Sequence, residues 1–413
     1  MTQAPAFPSG TDLRILMQNC QCAGDMLNDT SHALERLREA IRSVGFQDLS
    51  EAKHDFDGEG YTLAIILAES HVVIHTWPEY GNLVLADLSV CNYSRPNRER
   101  TLELGERLIE LFQPTESLKE AASMIPRLVD KLILGHGYYV EIDRLVASRK
   151  SAFQEIVVAD TPVFGRTLVI DGVFQTSEED DVFYHEPLVH VPMLSHPEPE
   201  RVLICGGGDG GAAREVLKHP SVQSCTIVDI DPEVIELSKT HLKTIHRGAL
   251  HDERVEVVIE DAAQYIQAHR DSFDVILLDS TDPGGPANTL FTDTFYQDIC
   301  NALAPDGYLG LHVGSPLVIE EISAEAVKRL ESVYERCDPY LSYVPAYATQ
   351  IGFLLCQRNN RPLPPQATIE ERLQRREIVD LQIISPETFA ASFAIPPRLR
   401  KRVFPQRGAD VMV

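Results

Sequence analysis

Five short runs rich in branched apolar residues, each followed by a helix-like stretch, constrain this chain of 413 residues more than any other feature. The runs are VLICG at 202–206, CTIVDID at 225–231, VEVVIED at 255–261, FDVILLDS at 273–280 and YLGLHV at 308–313. Such alternation over 201–357 predicts a doubly wound α/β fold, a parallel sheet covered by helices.

The ends of these runs carry the chemistry. The first leads straight into GGGDGG at 206–211, with a helix beginning near Ala212. Glycines there let the backbone approach a ligand closely at the switch point of the sheet. The second run ends in Asp229-Ile230-Asp231, placed where an acidic side chain binds the two ribose hydroxyls of a nucleoside. The third ends in Glu260-Asp261-Ala262. The pattern suits adenosine held by its ribose and adenine edges. It does not suit a dinucleotide, because Asp209 within the turn would repel a pyrophosphate. The fourth run ends in Asp279-Ser280-Thr281-Asp282-Pro283. Two carboxylates at the carboxyl edge of a parallel sheet lie where ligands bind, and they suit a protonated amine. One of them can take a proton from that amine so that its lone pair becomes nucleophilic. A solvated turn would also use these residue types.

Ahead of this sheet, residues 11–112 form a small α+β unit. Residues 31–44 and 101–112 carry apolar residues at helical spacing, and 61–68, 72–75 and 83–90 are β-rich. Two helices on one face of a mostly antiparallel sheet would bury both apolar stripes. Residues 114–137 are mixed and are expected to be a linker ending in a short helix. Residues 138–175 alternate apolar and polar residues, with turns at 160–162 and 171–172, which predicts a small antiparallel sheet. The domains expected are therefore 1–115, a linker at 116–136, a β-sheet domain at 137–195 and a catalytic domain at 196–413.

Composition narrows the partners. The formal net charge is −25, which argues against nucleic acid and anionic membrane and suits a cationic substrate. No apolar run of about 18 residues predicts a membrane span, and 1–14 does not resemble a signal peptide, so a cytoplasmic protein is expected. The eight cysteines make no paired CxxC spacing, which predicts reduced thiols and no metal site.

Residues 138–400 resemble the spermidine synthases, the polyamine aminopropyltransferases. The matching stretches are GRTLVIDGVFQTSEEDDVFYHEPLVHVPML, VLICGGGDGGAAREVLKHPSV, VDIDPEVIELSK, FDVILLDSTDPGGPANTLFTDTFY and SFAIPPRL. The resemblance implies a methyltransferase-like Rossmann domain behind a small β-sheet. It implies a nucleoside site on Gln154, Asp229, Asp261 and Pro286. It implies an amine site on Tyr184, His185, Asp209, Asp279, Asp282 and Tyr347, with Asp279 as the proton acceptor. The implied reaction transfers an aminopropyl group from decarboxylated S-adenosylmethionine to putrescine, releasing methylthioadenosine. This sequence departs from the family in having Asp229 where Glu is usual. It also has His312-Val313-Gly314-Ser315-Pro316 and Tyr347-Ala348-Thr349-Gln350-Ile351-Gly352 at stretches that line the amine end. Another diamine thus stays open as the acceptor. A methyltransferase has no need of Asp279 and Asp282 together with Gln154 and His185. A non-catalytic nucleoside-binding regulator has no need of Asp279 or of the Glu69–Ser70 pair.

The stretch LAESHVVIHTWPE at 67–79 is the second informative segment. By residue type alone, Ser70 and His75 are either a nucleophile and its base or polar residues on a wet face. Residues 11–112 resemble the bacterial type of S-adenosylmethionine decarboxylase, whose ESHxxIHTWPE motif is present in full. That resemblance implies self-cleavage between Glu69 and Ser70, leaving a pyruvoyl group derived from Ser70. The ketone forms a Schiff base with the substrate amine and serves as the electron sink for loss of CO₂. By position, the resemblance implies that His75 assists processing and that Cys91 returns a proton to the product. The resemblance also implies that Phe56 and Trp77 lie near the adenine and sulfonium. Thr62 replaces a serine hydroxyl, and Glu79 is a further site acid. The first strand has Leu13-Arg14-Ile15-Leu16 where the family opens with a histidine, and one residue is inserted between Gly81 and Asp87. Ornithine or arginine as substrate, or a silent structural domain, remain alternatives. The first reaction would make the donor that the second consumes, and linkage raises its local concentration. Both families imply a homodimer or a larger homo-oligomer.

Overall fold

The computed structural model describes residues 10–56, 60–92, 96–123, 127–133, 136–281 and 290–405. Two units make up the chain, Met1–Pro126 and Arg127–Val413.

In the first unit, strands β1 (Gly10–Gln18), β2 (Asp48–Phe56), β3 (Gly60–Leu67), β4 (Ser70–Trp77), β5 (Leu83–Cys91) and β6 (Glu116–Ser123) form one sheet in the order β2-β3-β4-β5-β1-β6. Every pairing in it is antiparallel. Alternation sorts the faces. In β4, Val72, Ile74 and Thr76 are buried, while His71, Val73, His75 and Trp77 are half-buried. The buried face receives the short helix α1 (Asp25–Asn28) and the amphipathic helices α2 (Thr30–Ser43) and α3 (Arg98–Phe112). Helix α2 starts where it does because the Asp29 carboxylate accepts the N–H groups of Ser31 and His32. Leu34, Leu37 and Ile41 of α2 join Leu104 and Leu108 of α3 over Leu13, Ile15 and Met17 of β1.

Residues 116–123 belong to the stretch expected to be a linker, yet they form β6, aligned with β1 from Thr11 opposite Ser123 to Gln18 opposite Glu116. ESLKEAAS has little strand character of its own. The open edge of β1, with its unpaired N–H and C=O groups, makes it a strand.

The second unit begins with a two-stranded pair, β7 (Arg127–Ile133) and β8 (His136–Glu141), where the sequence predicts a short helix. A four-stranded antiparallel sheet follows: β9 (Arg144–Lys150), β10 (Glu155–Thr161), β11 (Gly165–Ile170) and β12 (Val173–Ser177), in the order β12-β11-β10-β9. The predicted turn at 171–172 joins β11 to β12, with Asp171 at φ 49° and Gly172 at φ 80°. Two positive φ angles in succession match the twist of a tight hairpin.

Helix α4 (Val182–Ser195) leads into the large sheet. Its strands are β13 (Arg201–Gly206), β14 (Ser224–Asp229), β15 (Val255–Ile259), β16 (Phe273–Asp279), β17 (Leu303–His312), β18 (Arg336–Val344) and β19 (Thr349–Gln357). The order is β15-β14-β13-β16-β17-β19-β18. The five predicted strands pair in parallel. The sheet is nevertheless mixed, because β18 and β19 are antiparallel to their neighbours. Residues 345–348 join that pair and are too few for a parallel crossover. Helices α5 (Gly211–Leu217), α6 (Pro232–His241), α7 (Lys243–His246), α8 (Ala262–Gln267), α9 (Asp293–Ala302) and α10 (Glu320–Val333) cover the sheet.

The C-terminal helices α11 (Gln366–Arg375), α12 (Pro386–Ser392) and α13 (Pro397–Arg402) pack back on this unit through buried Ile369, Phe389, Ile395 and Leu399. Arg372 and Arg376 donate to carbonyl groups at and beyond the C-terminal end of α4, from Met193 to Pro197. Among the described residues no helix is long and apolar enough to cross a membrane. All eight cysteines are free thiols.

Candidate active site

At the carboxyl ends of β13, β14 and β16 a cavity of about 320 Å³ opens, closed on its other side by Tyr138, Leu168, Ile170 and Phe174. The glycine-rich turn makes it. Gly206, Gly207 and Gly210 have φ of 82°, 71° and 79°, which side chains rarely adopt. A Cβ on Gly208 would lie 2.6 Å from Oδ2 of Asp229, so that carboxylate rests directly on backbone.

Asp229, Asp261 and Gln154 line one end of the cavity. Asp229 Oδ1 accepts the N–H of Asp231 at 2.9 Å. Burial, joined by the neighbouring charges of Asp231 and Asp209, pushes the Asp229 carboxyl up to about 6. Asp261 caps α8 by accepting the N–H of Ala263 at 2.8 Å. The Gln154 amide nitrogen donates to Asp231 Oδ2 at 2.9 Å, and Ser151 Oγ donates to the same oxygen at 2.6 Å. Asp231, two residues beyond Asp229, therefore orients Gln154. Pro286 and Asp282 lie outside the described residues.

Tyr184, Asp209, Asp279 and Tyr347 line the other end, with His312 beside them. Burial pushes the Asp279 carboxyl up to about 6; Asp209 adds to that, while His185, a Tyr184 hydrogen bond and His312 oppose it. Among the described residues Asp279 Oδ2 is buried and accepts no hydrogen bond. A buried carboxylate oxygen without a donor is costly unless a ligand supplies one. The Tyr347 hydroxyl donates to the carbonyl of Gln175, and its ring lies 6.2 Å from that of Tyr184. His312 Nε2 donates to the carbonyl of Ser280 at 3.0 Å.

His185 is placed differently from its expected role. It does not line the cavity but lies buried behind it, with Nδ1 3.3 Å from Asp181 Oδ2 and Nε2 3.6 Å from Asp209 Oδ1. A ligand atom each of His185, Asp209 and Asp279 falls within 4.8 Å of the others. Asp181 and Arg214, which pair at 2.6 Å, were not singled out from the sequence. The first had a signal, since it precedes His185 by one helical turn. Nothing in the sequence pointed to Arg214.

In the first unit the Glu69–Ser70 peptide lies at the turn between β3 and β4. Ser70 has φ 149°, a region in which a residue with a side chain is strained. The Glu69 carbonyl accepts the N–H of Cys91 at 2.9 Å. Ser70 Oγ lies 3.1 Å from His71 Nδ1, not beside His75. Ser70 and His75 are five residues apart on one strand, roughly 17 Å at the usual rise, so they form no nucleophile–base pair within the strand. His75 Nδ1 instead meets Thr62 Oγ1 at 2.9 Å, and its ring stacks on Trp77 at 5.6 Å. Phe56 is exposed near the end of β2, edge-on to His54 at 4.8 Å. Glu79 sits in the turn Pro78–Tyr80.

Residues 181–364 match the family model for the spermine/spermidine synthase domain, and 131–178 match the spermidine synthase tetramerisation domain. Residues 13–119 match the model for S-adenosylmethionine decarboxylase. The chain is 39% identical over 270 residues to the polyamine aminopropyltransferase of Nitrosomonas europaea, covering 65% of this chain and 83% of that protein. It is 38% identical over 261 residues to that of Shouchella clausii, covering 63% and 92%. A crystal structure of spermidine synthase in complex with the transition-state analogue AdoDATO superposes with a TM-score of 0.62 at 34% identity, covering 66% of this chain and 92% of that one. Spermidine synthase from Thermotoga maritima superposes with a TM-score of 0.61 at 33% identity, covering 66% and 91%. On this coverage of nearly whole relatives, the chain belongs to the polyamine aminopropyltransferase family, with a segment similar to S-adenosylmethionine decarboxylases ahead of the shared part.

Proposed function

We propose that the Arg127–Val413 unit transfers an aminopropyl group from decarboxylated S-adenosylmethionine to putrescine, giving spermidine and methylthioadenosine. We also propose that the Met1–Pro126 unit is a pyruvoyl-dependent S-adenosylmethionine decarboxylase that makes the donor. The observation that carries the first reading is the buried Oδ2 of Asp279 beside Asp209, which accepts no hydrogen bond among the described residues, in a cavity whose opposite end holds Asp229 and Asp261.

The chemistry follows from those groups. Asp229 and Asp261 accept hydrogen bonds from the nucleoside, and Gln154, held by Asp231, closes over it. Asp209 and Asp279 draw in the cationic acceptor amine. Asp279 Oδ2 takes one proton from the attacking nitrogen. That nitrogen forms a bond to the propyl carbon next to the sulfonium, and the carbon–sulfur bond breaks with its electron pair moving to sulfur. The transition state needs little beyond alignment and charge, which the buried carboxylates provide. The family match over 131–178 supports a homo-oligomer.

For the decarboxylase, strain at Ser70 and the donor on the Glu69 carbonyl fit a bond prepared for cleavage by the serine hydroxyl. A pyruvoyl group there would supply the electron sink for loss of CO₂. Thr62 and Trp77 hold His75 from two sides, and Cys91 stands at the end of β5, next to the same bond. Incubating the purified protein with decarboxylated S-adenosylmethionine and a panel of diamines tests the transferase. Methylthioadenosine is expected, and its absence with every amine would overturn the reading. Release of labelled CO₂ from carboxyl-labelled S-adenosylmethionine tests the decarboxylase in the same way.

A further inference from the structure

We infer that Asp181 and Arg214 are positioning residues for aminopropyl transfer, holding His185 as an imidazolium that orients Asp209 and sets the charge balance around Asp279. The inference rests on the aminopropyl-transfer reading above.

The geometry begins with the two ring nitrogens of His185. Nδ1 faces Asp181 Oδ2 at 3.3 Å, and Nε2 faces Asp209 Oδ1 at 3.6 Å. A neutral imidazole has one N–H and one lone pair, so it would turn a lone pair toward one of the carboxylates. Only the doubly protonated ring presents an N–H to both, as a hydrogen bond to Asp181 and a longer charge contact to Asp209. Bulk water does not reach the ring, because His185 is 1% exposed and Asp181 5%. The backbone seals the ring from above: a Cβ on Gly211 would lie 2.2 Å from His185 Cε1.

The counterion is itself fixed. Arg214 Nη1 meets Asp181 Oδ2 at 2.6 Å and donates to the carbonyl of Ile245 at 2.6 Å. Arg214 Nε meets Glu215 Oε1 at 2.6 Å, and the other oxygen of Glu215 is held by His190 at 2.8 Å and Lys218 at 2.9 Å. A buried carboxylate gripped by a buried guanidinium cannot swing away from the ring.

On the cavity side, Asp209 Oδ1 accepts the N–H of Gly211 at 2.6 Å as well as facing His185. Both contacts hold the same oxygen, Oδ1, and neither engages Oδ2. The groups facing His185 are Asp181 immediately ahead of α4, Tyr184 on α4, Asp209 in the glycine turn and Asp279 at the end of β16. Arg214 on α5 stands behind Asp181, and His246 on α7 lies beyond Gly210. Burial alone would lower the proton affinity of His185, but Asp209 and Asp181 outweigh it. His185 in turn is the strongest of the influences that lower the proton affinity of Asp279. Discharging the ring would leave Asp279 holding its proton at higher pH, where it cannot accept one from the amine.

The test uses the full-length protein with Asp181→Asn, Asp181→Glu and Arg214→Gln. Asp181→Asn and Arg214→Gln should lower kcat roughly tenfold or more and move the acidic limb of the pH–kcat profile upward by about one pH unit. Methylthioadenosine affinity should stay within about threefold of wild type, and Asp181→Glu should restore part of the profile. An unmoved acidic limb would overturn the inference, as would a fall in activity that merely tracks lost nucleoside binding. A measurement on the unmodified protein guards against misfolded variants. With ¹⁵N-labelled histidine, one ring absent from the His185→Asn variant should carry protons on both nitrogens at pH 8, and its absence would also overturn the inference. If wild-type protein forms no methylthioadenosine, the transferase reading has failed, and the ring measurement still reports the state of His185.

Discussion

The N–H of Cys91 donates to the carbonyl oxygen of Glu69 at 2.9 Å, across the one peptide bond whose following residue, Ser70, sits at φ 149°. A hydrogen bond to that oxygen stabilises the charge that builds on it when a hydroxyl adds to the carbonyl carbon. Strain at Ser70 is relieved once the bond opens. A denaturing gel should therefore show fragments of 69 and 344 residues. Ser70→Ala should give a single band, because no hydroxyl remains to attack. An uncut wild-type chain would remove the decarboxylase proposal.

Asp279→Asn keeps the shape of the side chain and removes its capacity to take a proton. Turnover should fall by about 10²- to 10⁴-fold, the usual range for a general base, while methylthioadenosine binding by calorimetry changes little. In the wild type the base must be ionised to work. With a proton affinity near 6, transferase activity should rise as pH increases through about 6 and level off above it. A profile flat from pH 5 to 8 would argue that Asp279 is not the group being titrated.

Asp229 offers a stability test with the opposite appearance. Its carboxyl titrates near 6 in the folded chain and near 4 when unfolded, so the folded state holds the proton more tightly. Its contribution is favourable while the proton is bound and is lost as pH rises from about 4 to 6. Asp229→Asn should therefore raise the melting temperature at pH 8, by an amount equivalent to at most about 3 kcal/mol, and should make little difference at pH 4. The same variant should lose nucleoside affinity, since a neutral amide accepts less strongly from ribose hydroxyls. A variant that melts lower at pH 8 would show that Asp229 is not strained by its burial.

The sequence made the parallel strands and their acidic ends legible because each signal was local: an apolar run, a turn, a carboxylate at its end. Asp209, Asp229, Asp261, Asp279, Tyr184 and Tyr347 do converge on one cavity. His185 was placed with them by motif, but the motif does not say on which side of Asp209 a ring will stand. That is decided by Gly211 above it and Asp181 one turn before it. Strand β6 was missed because its partner β1 lies about a hundred residues earlier in the chain, and open edges leave no mark on the sequence that fills them. Ser70 and His75 were natural candidates for a catalytic pair by residue type. An odd spacing along a strand puts them out of phase.

Glu186, next in sequence to His185, ties the C-terminal segment to α4. Its Oε1 accepts the N–H of Gln382 at 2.8 Å, and its Oε2 accepts those of Ile383 at 2.7 Å and Ile384 at 3.0 Å. Three backbone donors on one fully buried carboxylate leave no room for a substitute acceptor. Glu186→Gln keeps one oxygen but turns an amide N–H toward a backbone N–H. Leaving that donor buried and unmet costs about 1–3 kcal/mol. The melting temperature should fall by several degrees, and amide exchange at 382–384 should quicken before exchange in β13 and β16 does. Uniform quickening across the unit would mean that this carboxylate supports the whole fold rather than the attachment of its last helices.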